Sequence, residues 1–271
     1  MPELPEAETT RRGILRVIAG RRVERVVVRN ARLRWRVPAG LASAMAGQRI
    51  ETVDRRGKYL IFRTPAGSML LHLGMSGSLR IVPADLAPEK HEHIDIVLAS
   101  GVALRFRDPR RFGSVHWTKA DPLQHKLLRR LGPEPLEQDF SGDYLFDRAA
   151  GRRQGIKTFI MDSHIVVGVG NIYASEALFS AGIHPGRAAG RISRGRYQLL
   201  AGSIRRVLRA AILKGGTTLR DFVNDAGEPG YFRVKLQVYD RAGQPCRRCG
   251  TSVRMIRSGQ RSTFYCPACQ H

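Results

Sequence analysis

The sequence predicts an α+β protein with more than one domain, and three features of the chain lead to this fold class. A patterned helix opens the chain, many short β-branched runs follow it, and helical periodicity then precedes a cysteine-rich C-terminus. With 271 residues, the chain is long enough for two domains that each bury a core.

The charge of the chain indicates a polyanionic partner. Lys and Arg number 46 against 23 Asp and Glu, which gives a formal net charge of +23. A basic ribosomal or RNA-binding protein would have the same balance. The sequence contains neither a run of about 18 apolar residues nor a signal peptide. We therefore expect no membrane association and a cytoplasmic, nucleoid-associated location in a bacterium.

The N-terminal half begins with a helix over residues 3–19, because Pro5 lies in its opening turn and Gly20 follows its last apolar residues. Turn signals such as Pro65-Ala66-Gly67 then separate short β-branched runs, a pattern typical of a β-sandwich or a barrel. The predicted strands are 22–29, 49–54, 59–63, 69–73, 93–98, 102–107 and 114–118.

The pattern changes at Pro133-Glu134-Pro135, which marks a domain boundary. Helices are predicted over 155–162, 171–181 and 193–214, followed by a mobile Gly-, Asp- and Asn-rich loop. The expected domains are 1–132, 133–231 and 232–271.

The four cysteines predict a structural zinc site. Two Cys-x2-Cys pairs, Cys246 with Cys249 and Cys266 with Cys269, can place four thiolates around one Zn²⁺ and leave no open position for water. The segment between the pairs reads as a hairpin that carries several arginines. Free or redox-active cysteines are the alternative.

The first residues suggest covalent chemistry. An initiator methionine before proline is usually removed, which would leave Pro2 as a secondary amine. Such an amine can attack a sugar aldehyde carbon to give a cationic iminium, and Glu3 and Glu6 could move protons beside it. The alternative is that Pro2 merely starts a helix.

A glycine-rich helix start suggests a phosphate-binding site. Gly168 and Gly170 allow close approach of an anion to the backbone, and we expect Asn171 to be the N-cap of the following helix. An ordinary tight turn between two helices is the alternative.

Several segments together resemble the bacterial formamidopyrimidine-DNA glycosylase family. They follow the family order from the first residue to the last, and they are Met1–Glu6, Leu73–Arg80, Lys90–His93, Asp108–Gly113, Val167–Glu176 and the four-cysteine C-terminus. The resemblance implies a helix and β-sandwich with the catalytic site, a helix–two-turn–helix domain with a lesion loop, and a zinc-finger β-hairpin. DNA would lie in a basic cleft between the halves.

The resemblance also implies an activity and its residues. The family excises 8-oxoguanine and formamidopyrimidines from duplex DNA, then cleaves the abasic strand by β- and δ-elimination. Pro2 would be the nucleophile at the sugar C1′, Glu3 the proton donor, Lys58 an aid to elimination and Arg261 the donor for δ-elimination. Read alone, Lys58 is an ordinary solvated lysine at a strand start. One structural zinc ion and a monomer are expected.

Further residues match the DNA-binding positions of the family. Met75, Arg110 and Phe112 would fill the space left by a flipped nucleotide, and His91, Arg110 and Arg152 would bind DNA together with the helix start at Asn171. Without the resemblance, Met75 and Phe112 would read as core residues. The stretch 217–231 matches the family loop that closes over the flipped base.

Two other functions remain open at this point. A non-catalytic zinc-ribbon nucleic-acid binder explains the charge and the cysteines. A glycosylase of the endonuclease VIII type, which acts on oxidised pyrimidines, shares the Pro-Glu start and the zinc hairpin. That type usually begins Pro-Glu-Gly-Pro, whereas this chain has Leu4 at the third of these positions.

Overall fold

The computed structural model describes residues 2–215 and 236–271 of the chain. Contacts divide the described residues into two compact units, one formed mainly by residues 2–129 and the other by residues 130–214 and 236–271. Within these described ranges, no helix is both long enough and apolar enough to cross a membrane.

The first unit consists of helices and antiparallel strands. Its helices are α1 (Leu4–Ile18) and α2 (Leu41–Met45). Its strands are β1 (Val23–Val28), β2 (Thr52–Arg56), β3 (Tyr59–Thr64), β4 (Gly67–His72), β5 (Ser78–Pro83), β6 (Glu92–Leu98), β7 (Val102–Arg107) and β8 (Ser114–Thr118).

The strands form two sheets that share one core. Their orders are β1-β6-β7-β5 and β2-β3-β4-β8. One hydrophobic cluster contains Val26 and Ile96 from the first sheet, Phe62 and Leu71 from the second, and Ile14 from α1. Because both sheets bury their apolar faces in this cluster, the unit is a β-sandwich with α1 packed into its core. The predicted fold class is confirmed.

Strand β5 is missing from the sequence prediction. It begins after Gly77 and ends at Pro83, and both glycine and proline weaken a strand pattern. The structure places it at the edge of its sheet, paired with β7. An edge strand tolerates a terminal proline because one side of its backbone has no strand partner.

The second unit is helical and ends in a hairpin. Its elements are α3 (Gly142–Ala149), α4 (Ile156–Met161), α5 (Asn171–Ser180), α6 (Arg194–Leu213), β9 (Arg254–Ser258) and β10 (Arg261–Tyr265). The sequence prediction missed α3, whose start is capped by the Ser141 hydroxyl accepting the Tyr144 N–H at 3.0 Å. The predicted loop 217–231 lies outside the described residues.

Candidate active site and metal centre

Pro2 and Glu3 lie together, both buried, at the start of α1. Glu3 is the N-cap residue, and its backbone N–H donates to Glu6 Oε2 at 2.8 Å as part of a reciprocal capping box. A helix start otherwise leaves its first amide groups without partners. The Glu6 carboxylate therefore orients the backbone of the residue that follows Pro2.

Three arginines surround Glu8, a residue that the sequence analysis did not single out. Its carboxylate accepts from Arg11 Nη2 at 2.9 Å, Arg12 Nε at 2.7 Å and Arg55 Nε at 3.1 Å. Burial alone would raise the pKa of Glu8, but the hydrogen bonds from Arg11 and Arg12 and the charges of Arg11 and Arg55 outweigh it and lower the pKa to about 2. In sequence, Glu8 resembles any acidic residue near a helix start.

Lys58 lies in the turn between β2 and β3, next to Gly57, whose φ is +58°. Arg55 connects this turn to α1, because its Nε donates to Glu8 and its Nη1 donates to the carbonyl oxygen of Gly57 at 3.0 Å. The helix that begins beside Pro2 and the turn that carries Lys58 are thereby held together.

His72, at the end of β4, is a second residue that sequence reasoning missed. Burial, followed by the positive charges of Lys58 and Arg34, lowers the pKa of His72 to about 4. The ring is therefore neutral at physiological pH, and its Nδ1 accepts the Gly74 N–H at 2.9 Å. This contact fixes the start of the loop that carries Met75.

The loops that carry Met75, Arg110 and Phe112 lie side by side. Met75 follows β4, and the other two residues lie between β7 and β8. The Arg110 guanidinium carbon lies 5.0 Å from the centroid of the Phe112 ring, and Phe112 is 43% exposed. The two side chains form an exposed cation–π pair rather than part of the core, which was the alternative interpretation of Phe112.

His91 and Arg152 lie in different units. His91 precedes β6 with a φ of +74°, and its carbonyl oxygen accepts the Asp108 N–H at 3.0 Å. Arg152 is exposed just before α4. Both positions can present a positive or polar group to solvent, as contact with a phosphate requires.

Arg261 is exposed at the start of β10, and the strand behind it is anchored to two helices. Lys157 on α4 is buried, and its Nζ donates to Thr263 Oγ1 at 2.9 Å and to the Ser262 carbonyl oxygen at 3.2 Å. Asn171 Nδ2 on α5 donates to the same carbonyl at 3.2 Å. Arg261 thus lies on a strand that is held in place by these contacts, and it lines a cleft of about 490 Å³.

The prediction that Asn171 is an N-cap is wrong. Gly170 is the N-cap of α5, with an extended backbone, and Asn171 is the first helical residue. Its side chain contacts the hairpin instead, and its Oδ1 is buried without a hydrogen-bond partner in the described chain. A glycine at the cap leaves the first amides of the helix open to an anion, so phosphate binding at this helix start remains a prediction.

The four cysteine sulfurs form a compact cluster within 4.8 Å of one another. Cys246 Sγ lies 4.0 Å from Cys269 Sγ, and Cys249 Sγ lies 3.5 Å from Cys266 Sγ. A tetrahedral zinc site with Zn–S bonds of about 2.3 Å has sulfur–sulfur distances near 3.8 Å. The donor set and its spacing fit one structural zinc ion.

Glu176 fixes the chain where it enters the cysteine module. Its carboxylate on α5 accepts three backbone N–H groups, from Gln237 at 2.8 Å, Val238 at 3.0 Å and Tyr239 at 3.0 Å. Burial raises the pKa of Glu176, and the three hydrogen bonds oppose that rise. The zinc module is therefore attached to the same helix that offers the candidate phosphate site.

Comparison with known proteins agrees with this arrangement. Family models match the formamidopyrimidine-DNA glycosylase N-terminal domain over residues 1–115, the H2TH domain over 131–223 and the zinc finger found in FPG and IleRS over 243–271. The chain belongs to the formamidopyrimidine-DNA glycosylase family. Membership makes the protein a DNA-repair glycosylase with a structural zinc finger, as the sequence predicted.

Relatives within the formamidopyrimidine-DNA glycosylase family cover the whole chain. The enzymes named formamidopyrimidine-DNA glycosylase from Alkalilimnicola ehrlichii and Methylococcus capsulatus are 61% and 58% identical, over 100% of both chains. The MutM (Fpg) protein of Thermus thermophilus has a TM-score of 0.88 at 37% identity, covering 99% of this chain and 98% of its own. Lactococcus lactis Fpg with abasic-site DNA has a TM-score of 0.91 at 32% identity, covering 99% of each.

Glu8→Gln should destabilise the protein in a pH-dependent way. The folded pKa of Glu8 lies below its ordinary value of 4.5, so its contribution is complete above about pH 5 and is lost as the pH falls toward 2. We expect a loss on the order of 2 kcal/mol at pH 7 that shrinks on acidification. Urea unfolding from pH 7 to pH 3 measures it.

The matched control for this prediction is Glu24→Gln, because Glu24 pairs with Arg25 at the exposed surface. That substitution should change the free energy of unfolding by less than about 1 kcal/mol. A Glu8→Gln difference that stays constant from pH 7 to pH 3 would contradict the assigned ion pairs.

Removal of zinc should unfold the cysteine module. Metal analysis is expected to give one zinc ion per chain, and Cys249→Ala should lower that content because three thiolates bind the metal more weakly. Ser252→Ala, an exposed change in the same module, serves as the control and should retain zinc. Unchanged hairpin resonances in metal-free protein would show that the cluster does not need a metal.

Proposed function

We propose that this protein excises oxidised purines, chiefly 8-oxoguanine and formamidopyrimidines, from duplex DNA and then cleaves the strand at the abasic site. The observation that carries the proposal is the placement of Pro2 beside Glu3, both buried at a capped helix start. Solved complexes of Lactococcus lactis Fpg contain DNA with an abasic site or with N7-benzyl-Fapy-dG, which supports the same substrate class here.

In the proposed reaction, removal of Met1 leaves Pro2 with a free secondary amine. The amine attacks C1′ of the damaged nucleotide, the glycosidic bond breaks, and the base leaves with its bonding electrons and takes up a proton. Glu3 moves protons at the sugar during this exchange. The Pro2 nitrogen loses its proton, the bond between C1′ and the ring oxygen breaks, and the ring oxygen takes up a proton, which leaves an iminium between Pro2 and C1′. Loss of a proton from the neighbouring carbon then supplies the electrons that allow the 3′ phosphate and afterwards the 5′ phosphate to leave.

Lys58 and Arg261 assist the elimination steps in this proposal. Lys58 lies in the turn that Arg55 and Glu8 connect to α1, a position that suits contact with the lesion phosphate. A guanidinium is effectively never deprotonated in proteins, so we assign Arg261 to clamping the flanking phosphates and stabilising the leaving phosphate rather than to donating a proton.

The remaining residues hold the distorted DNA. Met75 and Phe112 fill the space left by the flipped nucleotide, and Arg110 pairs with the orphaned cytosine. His91, Arg152 and the helix start at Asn171 bind phosphates. We propose a monomer that acts on duplex DNA, with working domains 1–132, 133–231 and 232–271.

Borohydride trapping on a duplex with 8-oxoguanine opposite cytosine tests the proposed function directly. We expect a covalent adduct that peptide mass mapping places on Pro2, because reduction converts the iminium to a stable amine. A sample that retains an additional N-terminal residue is the control and should not trap, since its Pro2 nitrogen is an amide. Stronger trapping on an oxidised-pyrimidine duplex would favour the endonuclease VIII type of specificity.

Arg261→Ala should slow δ-elimination and leave β-elimination close to normal, so that the β-product accumulates on gels. Arg261→Lys should restore part of the rate without a new pH dependence, since a clamp requires only a positive charge. Arg257→Ala, which removes an exposed arginine from β9 of the same hairpin, controls for charge. A rate for Arg261→Lys that follows the titration of its amine would support proton donation instead.

A further inference from the structure

Asp108 is fully buried between the two loops that carry Met75, Arg110 and Phe112. Its Oδ1 accepts the hydroxyl of Ser76 at 2.7 Å, and its Oδ2 accepts the backbone N–H of Gly113 at 2.7 Å. One carboxylate therefore bonds to the loop after β4 and to the end of the loop after β7. The proposed reaction assigns no part to Asp108 or to Ser76.

The backbone of Asp108 extends this connection. Its N–H donates to the carbonyl oxygen of His91 at 3.0 Å, and its own carbonyl oxygen accepts the Arg111 N–H at 3.2 Å and lies 2.9 Å from His93 Nε2. Three segments that carry proposed DNA contacts thus converge on one residue. Arg111 has a φ of +55°, an uncommon conformation that these contacts hold in place.

Ser76 provides the second half of the connection. Its hydroxyl donates to Asp108, and the same oxygen accepts the backbone N–H of Arg110 at 3.2 Å. The loops also meet backbone to backbone, because a Cβ on Gly74 would lie 2.3 Å from the nitrogen of Gly113. Their spacing is therefore set by hydrogen bonds and by a glycine contact, without the side chains of Met75, Arg110 or Phe112.

We propose that Asp108 and Ser76 form a positioning bracket that holds Met75 at a fixed distance from Arg110 and Phe112, so that the three side chains enter the DNA as one rigid wedge. The inference rests on the proposed function, which places these side chains in the base stack. Neither bracket residue touches the reacting atoms, and both act through the three side chains.

The loops that carry the three side chains need to be rigid, because insertion of these side chains into the DNA works against the stacking of the nucleobases. Separating one base step costs free energy, because the stacking contact between the two bases is lost. If the loops could move apart, the three side chains would be pushed out of the DNA instead of keeping the bases unstacked. The flipped nucleotide would then return to the stack before reaction. A substrate whose lesion site is already unpaired does not require this unstacking. Loss of the bracket should therefore slow repair of an intact duplex selectively.

Single-turnover rates on two substrates test the bracket. One is a duplex with 8-oxoguanine opposite cytosine, and the other is an abasic site within an unpaired bubble. We expect Ser76→Ala and Asp108→Ala to slow excision from the duplex about tenfold and to change cleavage in the bubble less than about twofold. Equal slowing on both substrates would overturn the proposal.

Two further variants separate positioning from folding. Asp108→Asn keeps the shape, can still accept from Gly113 and can donate to Ser76, so it should retain most of the duplex rate. A loss equal to that of Asp108→Ala would show that the charge is needed rather than the bracket. Met45→Ala, a core change in α2, should lower Tm without changing the ratio of the two rates.

A double-mutant comparison identifies the route of the effect. In a Phe112→Ala background, which already lacks the aromatic part of the wedge, Ser76→Ala should cause little further loss on the duplex. Independent, additive losses would contradict the proposal. If the wild-type protein cleaves neither substrate, the result counts against the proposed function. If the wild-type protein cleaves both substrates, the rates of the variants test the bracket alone.

Discussion

The ion pairs around Glu8 are the interaction on which the placement of the candidate active-site residues depends. The carboxylate is shared by Arg11 and Arg12 on α1 and by Arg55 on β2, so one group joins the N-terminal helix to the second sheet. Breaking one side of such a group would leave buried charge without a partner, which costs more than the pair contributes. The start of α1, and with it Pro2, therefore has little freedom to move away from the turn that carries Lys58.

Buried carboxylates that bond to several groups at once occur at other points in this arginine-rich chain. Asp108 bonds two loops, Glu176 binds three consecutive backbone amides, and Asp95 pairs with the buried Arg105. Acidic residues are half as numerous as basic ones, 23 against 46, and each of these buried carboxylates joins its own segment of the chain to another. Much of the remaining positive charge lies on exposed residues such as Arg152 and Arg261, where it can contact phosphates.

Sequence patterns predicted what depends on local spacing. The first helix, most of the sandwich strands and the zinc cluster follow from periodicity and from paired cysteines, and the structure confirms them. The patterns failed where tertiary contacts decide: β5 exists because β7 offers a free edge, and Gly170 replaces Asn171 as the cap because the asparagine binds the hairpin. Glu8 and His72 carry no sequence signal of their own, and Asp108 is marked only as the first residue of a segment that resembles the family. The interactions of all three include neighbours distant along the chain.

The way the two loops are joined has a consequence for evolution. Because Ser76, Asp108 and the glycine contact set the loop spacing through hydroxyl, carboxylate and backbone groups, the side chain at Arg110 is not required to keep the loops in place. An exposed side chain that is not needed to hold the fold can be substituted with little loss of stability. Under the proposed role of Arg110, the preference for one base opposite the lesion is a separable trait, open to change by substitution at this single exposed position while the scaffold around it stays the same.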